Sequence, residues 1–139
     1  MVKTKQIGWA SEAELTRAVF AWLQAHRILA WRMPVGPVVH RKVIGGRLKE
    51  FWKKSPLKGF PDIAGVLQRK RRGTLFTLEL KSASGSISPE QKMWMKDLSD
   101  AGSACAVIRS IDDLRTAMET WGEITPPQSH PPQAADELP

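Results

Sequence analysis

Residues 62–81 leave the chain little choice of structure. Asp62-Ile63-Ala64-Gly65-Val66-Leu67 is a short apolar run, residues 68–73 form a basic stretch closed by Gly73, and residues 74–81 alternate in polarity. In that last run Phe76, Leu78 and Leu80 fall on one side and Thr77, Glu79 and Lys81 on the other, the period of a strand with one face in a core. Two such runs joined by a glycine-bearing loop predict an antiparallel hairpin. The start of the first strand then lies beside the end of the second. Asp62 and Glu79 become neighbours, with Lys81 alongside.

Carboxylates side by side at the end of an apolar strand need a physical reason. Buried charge is costly unless it is paired or bound to a metal, and adjacent carboxylates raise each other's pKa unless a cation sits between them. A hard divalent ion such as Mg²⁺ takes carboxylate and carbonyl oxygens plus water, and the backbone carbonyl of Leu80 is expected to point into the same space. Glu-x-Lys alone is as well read as an ion pair at a sheet edge. With Asp62 beside it, the metal reading is the better one.

The remaining chain supplies a frame for this hairpin. Ser11 opens a helix in which Leu15, Ala18, Val19, Trp22 and Leu23 recur at helical spacing to about Ala25. A short strand over residues 28–33 follows, and residues 37–59 read as a β-ribbon or a mobile loop around Gly45-Gly46. Ser88-Pro89-Glu90-Gln91 carries an N-cap, a proline at the first helical position and a capping-box glutamine. That helix reaches about Ala101 and stops at Gly102. A buried strand over 103–109 and a last helix from Ser110 to about Trp121 complete the pattern. The order α-β-β-β-α-β-α, with the ribbon inserted after the first strand, predicts an α/β fold, a mixed sheet flanked by helices. Residues 1–121 are expected to form one domain, and the Pro-rich, acidic residues 122–139 a disordered tail.

Charge is distributed unevenly. Residues 1–81 carry 17 Lys/Arg against 5 Asp/Glu, whereas residues 82–139 carry 4 against 9. Basic side chains cluster between His40 and Lys58 and at Arg69-Lys70-Arg71-Arg72, with Phe51, Trp52 and Phe60 among them. Such clusters neutralise phosphates and release counterions, which points to nucleic acid rather than to a solvated face without a partner. Arg32, Arg41, Lys42, Arg47, Lys49, Lys53, Lys54 and Lys58 are the candidate contacts, and Trp52 is a candidate for stacking on a base. Three scattered histidines and the single Cys105 do not make a zinc site of usual spacing, and Ile44-Gly45-Gly46-Arg47 lacks the Gly-Lys-Ser/Thr of a phosphate-binding loop. Cys105 reads as packing. No apolar run is long enough to cross a membrane and no signal peptide is evident. The chain is therefore expected in the cytoplasm, of a bacterium or of a phage's host.

Taken in order, Glu12-x-x-Leu15, Trp31-Arg32 before Gly36, Gly59-Phe60-Pro61-Asp62-Ile63, Glu79-Leu80-Lys81, and Ser88-x-x-Gln91 with Trp94 resemble the PD-(D/E)XK nuclease superfamily, and within it the VRR-NUC family. The resemblance covers roughly residues 12–114 and implies a restriction-endonuclease-like core that hydrolyses DNA phosphodiester bonds. It implies that Asp62, Glu79 and the Leu80 carbonyl ligate Mg²⁺ or Mn²⁺, that Lys81 orients the attacking water, and that Gln91 positions water or phosphate beside its capping role. The helix acid of the family matches either Glu12 or Glu14. Glu12 lies nearer the apolar face, and Glu14, three residues after Ser11, looks like a capping residue, so Glu12 is the expected site acid. Small standalone members suggest branched or four-way DNA as substrate and a homodimer as the acting form. A non-catalytic, basic nucleic-acid-binding module is the alternative, and the intact Asp62, Glu79 and Lys81 argue against it.

Overall fold

A computed structural model describes residues 11–34 and 36–127 of the chain. Helix α1 (Glu12–Ala25) starts where the Ser11 side chain accepts the Glu14 N–H, and it buries Leu15, Val19 and Leu23, one stripe at a spacing of four. Strands β1 (Leu29–Arg32), β4 (Ile63–Val66), β5 (Leu75–Leu80) and β6 (Ala104–Ile108) form one sheet in the order β1-β4-β5-β6. The first two pairings are antiparallel and β5–β6 is parallel, so the sheet is mixed. A parallel return needs a crossover, and α2 (Pro89–Asp100) is that crossover. Helix α3 (Ile111–Thr120) packs on β6 and α1.

Alternation along β5 sorts the layers. Phe76, Leu78 and Leu80 join the core with Leu15, Val19, Ile63, Ile108, Leu114 and Met118. Thr77 and Glu79 face the other side of the sheet, and both are buried. Asp62 and Lys81 have the same parity as Ala64 and Glu79, so the three candidate site residues share one sheet face.

Residues expected as a ribbon or a mobile loop form a β-hairpin, β2 (Val38–Ile44) and β3 (Arg47–Lys53), in its own two-stranded sheet. Gly45 and Gly46 make the turn with φ of 60° and 74°, the left-handed pair that a two-residue hairpin turn requires. All residues of both strands are exposed, and among the described residues the hairpin packs against no other helix or strand. Its register gives it two unlike faces. Val39 pairs with Trp52, Arg41 with Glu50 and Val43 with Leu48; the opposite face carries Val38–Lys53, His40–Phe51, Lys42–Lys49 and Ile44–Arg47. Trp52 therefore lies opposite Val39, on the face that also carries Arg41, Val43, Leu48 and Glu50, and away from Lys53.

The tail was expected to begin after Trp121, but packing continues beyond it. Ile124 lies against the core, and Glu123 is 4% exposed, with its two carboxylate oxygens accepting the Gln68 N–H at 3.2 and 2.9 Å. The rest of the expected tail, residues 128–139, lies outside the described residues. No helix among the described residues is long and apolar enough to cross a membrane. Because Glu123→Ala leaves the Gln68 N–H without its charged acceptor, it should cost about 1–3 kcal/mol. Urea unfolding of the two proteins measures this; equal midpoints would show that the contact contributes nothing.

Candidate active site

Asp62 reaches the site on a segment clamped to α2. Trp94 donates its indole N–H to the Lys58 carbonyl at 3.0 Å, and Phe60 meets the Trp94 ring edge-on, with centroids 5.0 Å apart. Gly59 has φ of 82°, and a Cβ there would stand 2.7 Å from that of Glu90, so only glycine fits between this segment and the helix. The spacing of Gly59-Phe60-Pro61-Asp62 and of Gln91 and Trp94 thus has a physical cause: the two motifs pack on each other. The Asp62 carbonyl then accepts the Met33 N–H at 2.8 Å, and its Oδ2 accepts the Leu80 N–H at 2.8 Å.

That second bond brings the Asp62 carboxylate to the backbone next to Glu79. Glu79 is 2% exposed. Its Oε1 accepts the side-chain N–H of Gln91 at 2.8 Å and lies 3.9 Å from the Lys81 ammonium. Its Oε2 is buried and, while the group is ionised, no donor bonds it. Desolvation is the main reason the Glu79 carboxyl is pushed up to about 8; the charge of Asp62 and a hydrogen bond to it add to the rise, Lys81 opposes it, and Glu12 contributes a little upward. In the protonated form one proton can be shared by the Glu79 and Asp62 carboxyls.

Gln91 does two jobs with one amide. Its oxygen accepts the Ser88 N–H at 2.9 Å in a complete capping box, and its nitrogen holds Glu79. Glu12, exposed in the first turn of α1, is near enough for its charge to act on Glu79. Glu14 is not among the charges that act there. Its backbone N–H makes the α1 cap, and no bond from its carboxylate to the Ser11 N–H closes a box.

A divalent cation fits these donors on the evidence of Glu79 itself: a buried carboxylate oxygen without a partner, beside a second carboxylate that raises its proton affinity. Among the described residues no cluster of three or more Asp, Glu, His or Cys side chains could enclose an ion. Two carboxylates leave most positions of an ion to water, which suits a hard divalent cation better than a metal that demands a full protein cage.

The expected nucleic-acid contacts separate into groups. Arg32 and Asp62 line one cavity of about 390 Å³ with Met33, Pro34 and Gly36. Lys42, Arg47, Lys49 and Lys53 share the basic hairpin face, whereas Arg41 lies on the opposite face, 3.1 Å from Glu50. Lys54 is exposed just past β3, and Lys58 is 3.8 Å from Glu90. Arg109, read from sequence only as the end of a strand, proves to bond the loop beside Lys81. No local pattern marks that contact, because its acceptors are backbone carbonyls.

A family model described as VRR-NUC domain matches residues 10–112 of the chain. No curated protein and no solved structure matches it.

The raised Glu79 pKa has a consequence for stability without metal. Folded Glu79 keeps its proton to about pH 8, while a glutamate at the ordinary value of 4.5 loses it far earlier. Between those values the native chain binds more protons than the unfolded one, so this group makes stability fall as pH rises. Melting temperatures in EDTA from pH 5 to 8 should therefore decline more steeply for the wild type than for Glu79→Gln. Parallel curves would contradict the assignment.

Proposed function

The chain belongs to the VRR-NUC family and so has a nuclease-type function, and from that premise we propose that it hydrolyses DNA phosphodiester bonds with a divalent ion held by Asp62, Glu79 and the Leu80 carbonyl. The observation that carries this reading is the buried, unpartnered Glu79 Oε2 beside Asp62. When bound, Mg²⁺ or Mn²⁺ supplies positive charge to the scissile phosphate and lowers the pKa of the attacking water.

The protein's own groups do the rest. The Leu80 N–H fixes Asp62, and Gln91 fixes Glu79, so neither carboxylate is free to swing. Lys81 holds a positive charge at the mouth of the site, where it orients water and offsets the charge that grows on the phosphate. Glu12 adds a carboxylate from the end of α1, within reach of water on that side. Arg32, in the same cavity as Asp62, is placed to hold a neighbouring phosphate.

The basic hairpin face extends this surface. Lys42 and Lys49 stand directly opposite each other, an arrangement that repels unless an anion lies over it. Phosphates relieve that repulsion, so Lys42, Arg47, Lys49 and Lys53 take the DNA backbone, with Lys54 and Lys58 following along the chain. The opposite face suits a second copy of this chain: Val39, Val43, Leu48 and Trp52 are apolar, and Arg41 and Glu50 at its centre can exchange partners across a two-fold axis. Branched or four-way DNA is the substrate that such a pair of outward basic faces fits.

Cleavage of linear, flapped and four-way DNA should require Mg²⁺ or Mn²⁺ and vanish in EDTA. Asp62→Asn, Glu79→Gln and Lys81→Met should abolish it while DNA binding survives. Glu12→Gln should slow turnover by about 10²-fold, and Glu14→Gln should leave it near normal. Cutting by a folded, contaminant-free Asp62→Asn protein would refute the proposal, and an inactive Glu14→Gln with an active Glu12→Gln would move the helix acid to Glu14.

The hairpin faces are separable by substitution. Neutralising Lys42, Arg47, Lys49 and Lys53 should flatten the salt dependence of DNA affinity, by up to about one counterion per lost phosphate contact. Leu48→Asp should instead shift the sedimentation profile from dimer to monomer and leave the salt slope of each subunit in place. An unchanged slope in the first variant would show that the hairpin does not lie on DNA.

A further inference from the structure

The loop over residues 82–87 has candidate site residues at both ends. Lys81 precedes it, and Gln91 follows in the first turn of α2, behind the N-cap Ser88. Its sequence, Ser-Ala-Ser-Gly-Ser-Ile, has the composition of a flexible linker and one sizeable apolar side chain, Ile87. A single turn bond, from the Gly85 N–H to the Ser82 carbonyl at 3.1 Å, shapes it from within. Left to itself, such a loop would not hold Lys81 in one place.

Arg109, the residue after β6, supplies the missing constraint. Its Nη1 donates to the Ser82 carbonyl and to the Gly85 carbonyl, each at 2.7 Å. That nitrogen carries two hydrogens, so both bonds form together and close the loop into a fixed bend. Arg109 is itself tied down. Its backbone N–H donates to Asp113 Oδ2 at 2.9 Å, and the residue before it, Ile108, accepts the Lys81 N–H at 3.0 Å. The bend lies against Lys81: a Cβ on Gly85 would stand 3.4 Å from Lys81 Cδ. Under it the Lys81 side chain is only 14% exposed, with its ammonium 3.9 Å from Glu79.

We propose that Arg109 is a positioning residue: by holding the Ser82 and Gly85 carbonyls it folds the loop over the stem of Lys81 and keeps the ammonium directed at Glu79. The catalytic consequence rests on the proposed role of Lys81, but the placement of Lys81 does not. Arg109 works through Lys81 and leaves DNA binding to other residues. A lysine at this position keeps a cation with several donors and restores part of the effect. Alanine removes both bonds.

The test combines two readouts on the full chain. In EDTA, the rate at which a small acylating reagent labels Lys81 is followed by mass spectrometry for wild type, Arg109→Ala and Arg109→Lys. With Mg²⁺, kcat is compared with KM and with DNA affinity. Arg109→Ala should label several-fold faster at Lys81 but not at Lys92 or Lys96, and its kcat should fall by about 10- to 100-fold. DNA affinity should stay within about twofold, since the phosphate contacts lie elsewhere, and Arg109→Lys should recover part of both losses. Unchanged Lys81 labelling overturns the proposal. So does faster labelling of every lysine in both variants, which marks general unfolding, or a loss of DNA affinity equal to the loss of turnover, which marks a phosphate contact. If the wild-type protein cuts no DNA, the nuclease reading fails, and the labelling alone still decides the placement of Lys81.

Discussion

Keeping Glu79 inside the sheet, with one oxygen unpartnered and Asp62 beside it, is the constraint around which the rest of the molecule is arranged. A carboxylate in such a place stays only if neighbours hold it and a cation balances it. Strand β5 gives it a position on the face away from the core, Gln91 gives it one hydrogen bond, and Lys81 gives it a charge. Asp62 is brought alongside by its bond to the Leu80 N–H. That pairing depends in turn on the packing of Gly59, Phe60 and Trp94 against the crossover helix. Few of these parts would be needed to make the sheet stable; they serve to bring charges together.

A different economy governs the β2–β3 hairpin. A two-stranded sheet on its own is marginal in water, yet here neither face is covered by the rest of the described chain. One face concentrates lysine and arginine, and the other is apolar around a neutral Arg41–Glu50 pair. Both features make sense together if the hairpin gains its stability on meeting partners, one anionic and one apolar. The site and the hairpin then divide the work between chemistry and grip.

Much of the candidate site was legible because it is built from local patterns. Alternation at 74–81, with the basic turn before it, is enough to set Asp62 beside Glu79, and the Ser88–Gln91 box announces itself in four residues. Other features depend on contacts that no local pattern carries. The two faces of the hairpin follow from its register, and the register follows from where Gly45 and Gly46 turn; a slip of one residue would exchange the faces. Trp52 is an example: its place opposite Val39 and its separation from Lys53 follow from the register alone. Arg109 bonds backbone carbonyls 24 and 27 residues away, and Glu123 reaches an amide 55 residues away. Gln91 was readable as a cap or as a site residue; that one amide atom caps α2 while the other donates to Glu79 needed the geometry.

If Asp62 and Glu79 hold a divalent ion as proposed, that ion takes the place of a proton. Calorimetric titration of Mg²⁺ or Mn²⁺ into the metal-free protein at pH 7, repeated in buffers of different ionisation enthalpy, counts the protons released on binding. Saturable binding with release of about one proton for each ion bound is expected, with neither the binding nor the release in Glu79→Gln. Binding of equal strength in that variant, or binding by the wild type with no proton released, would contradict the proposal.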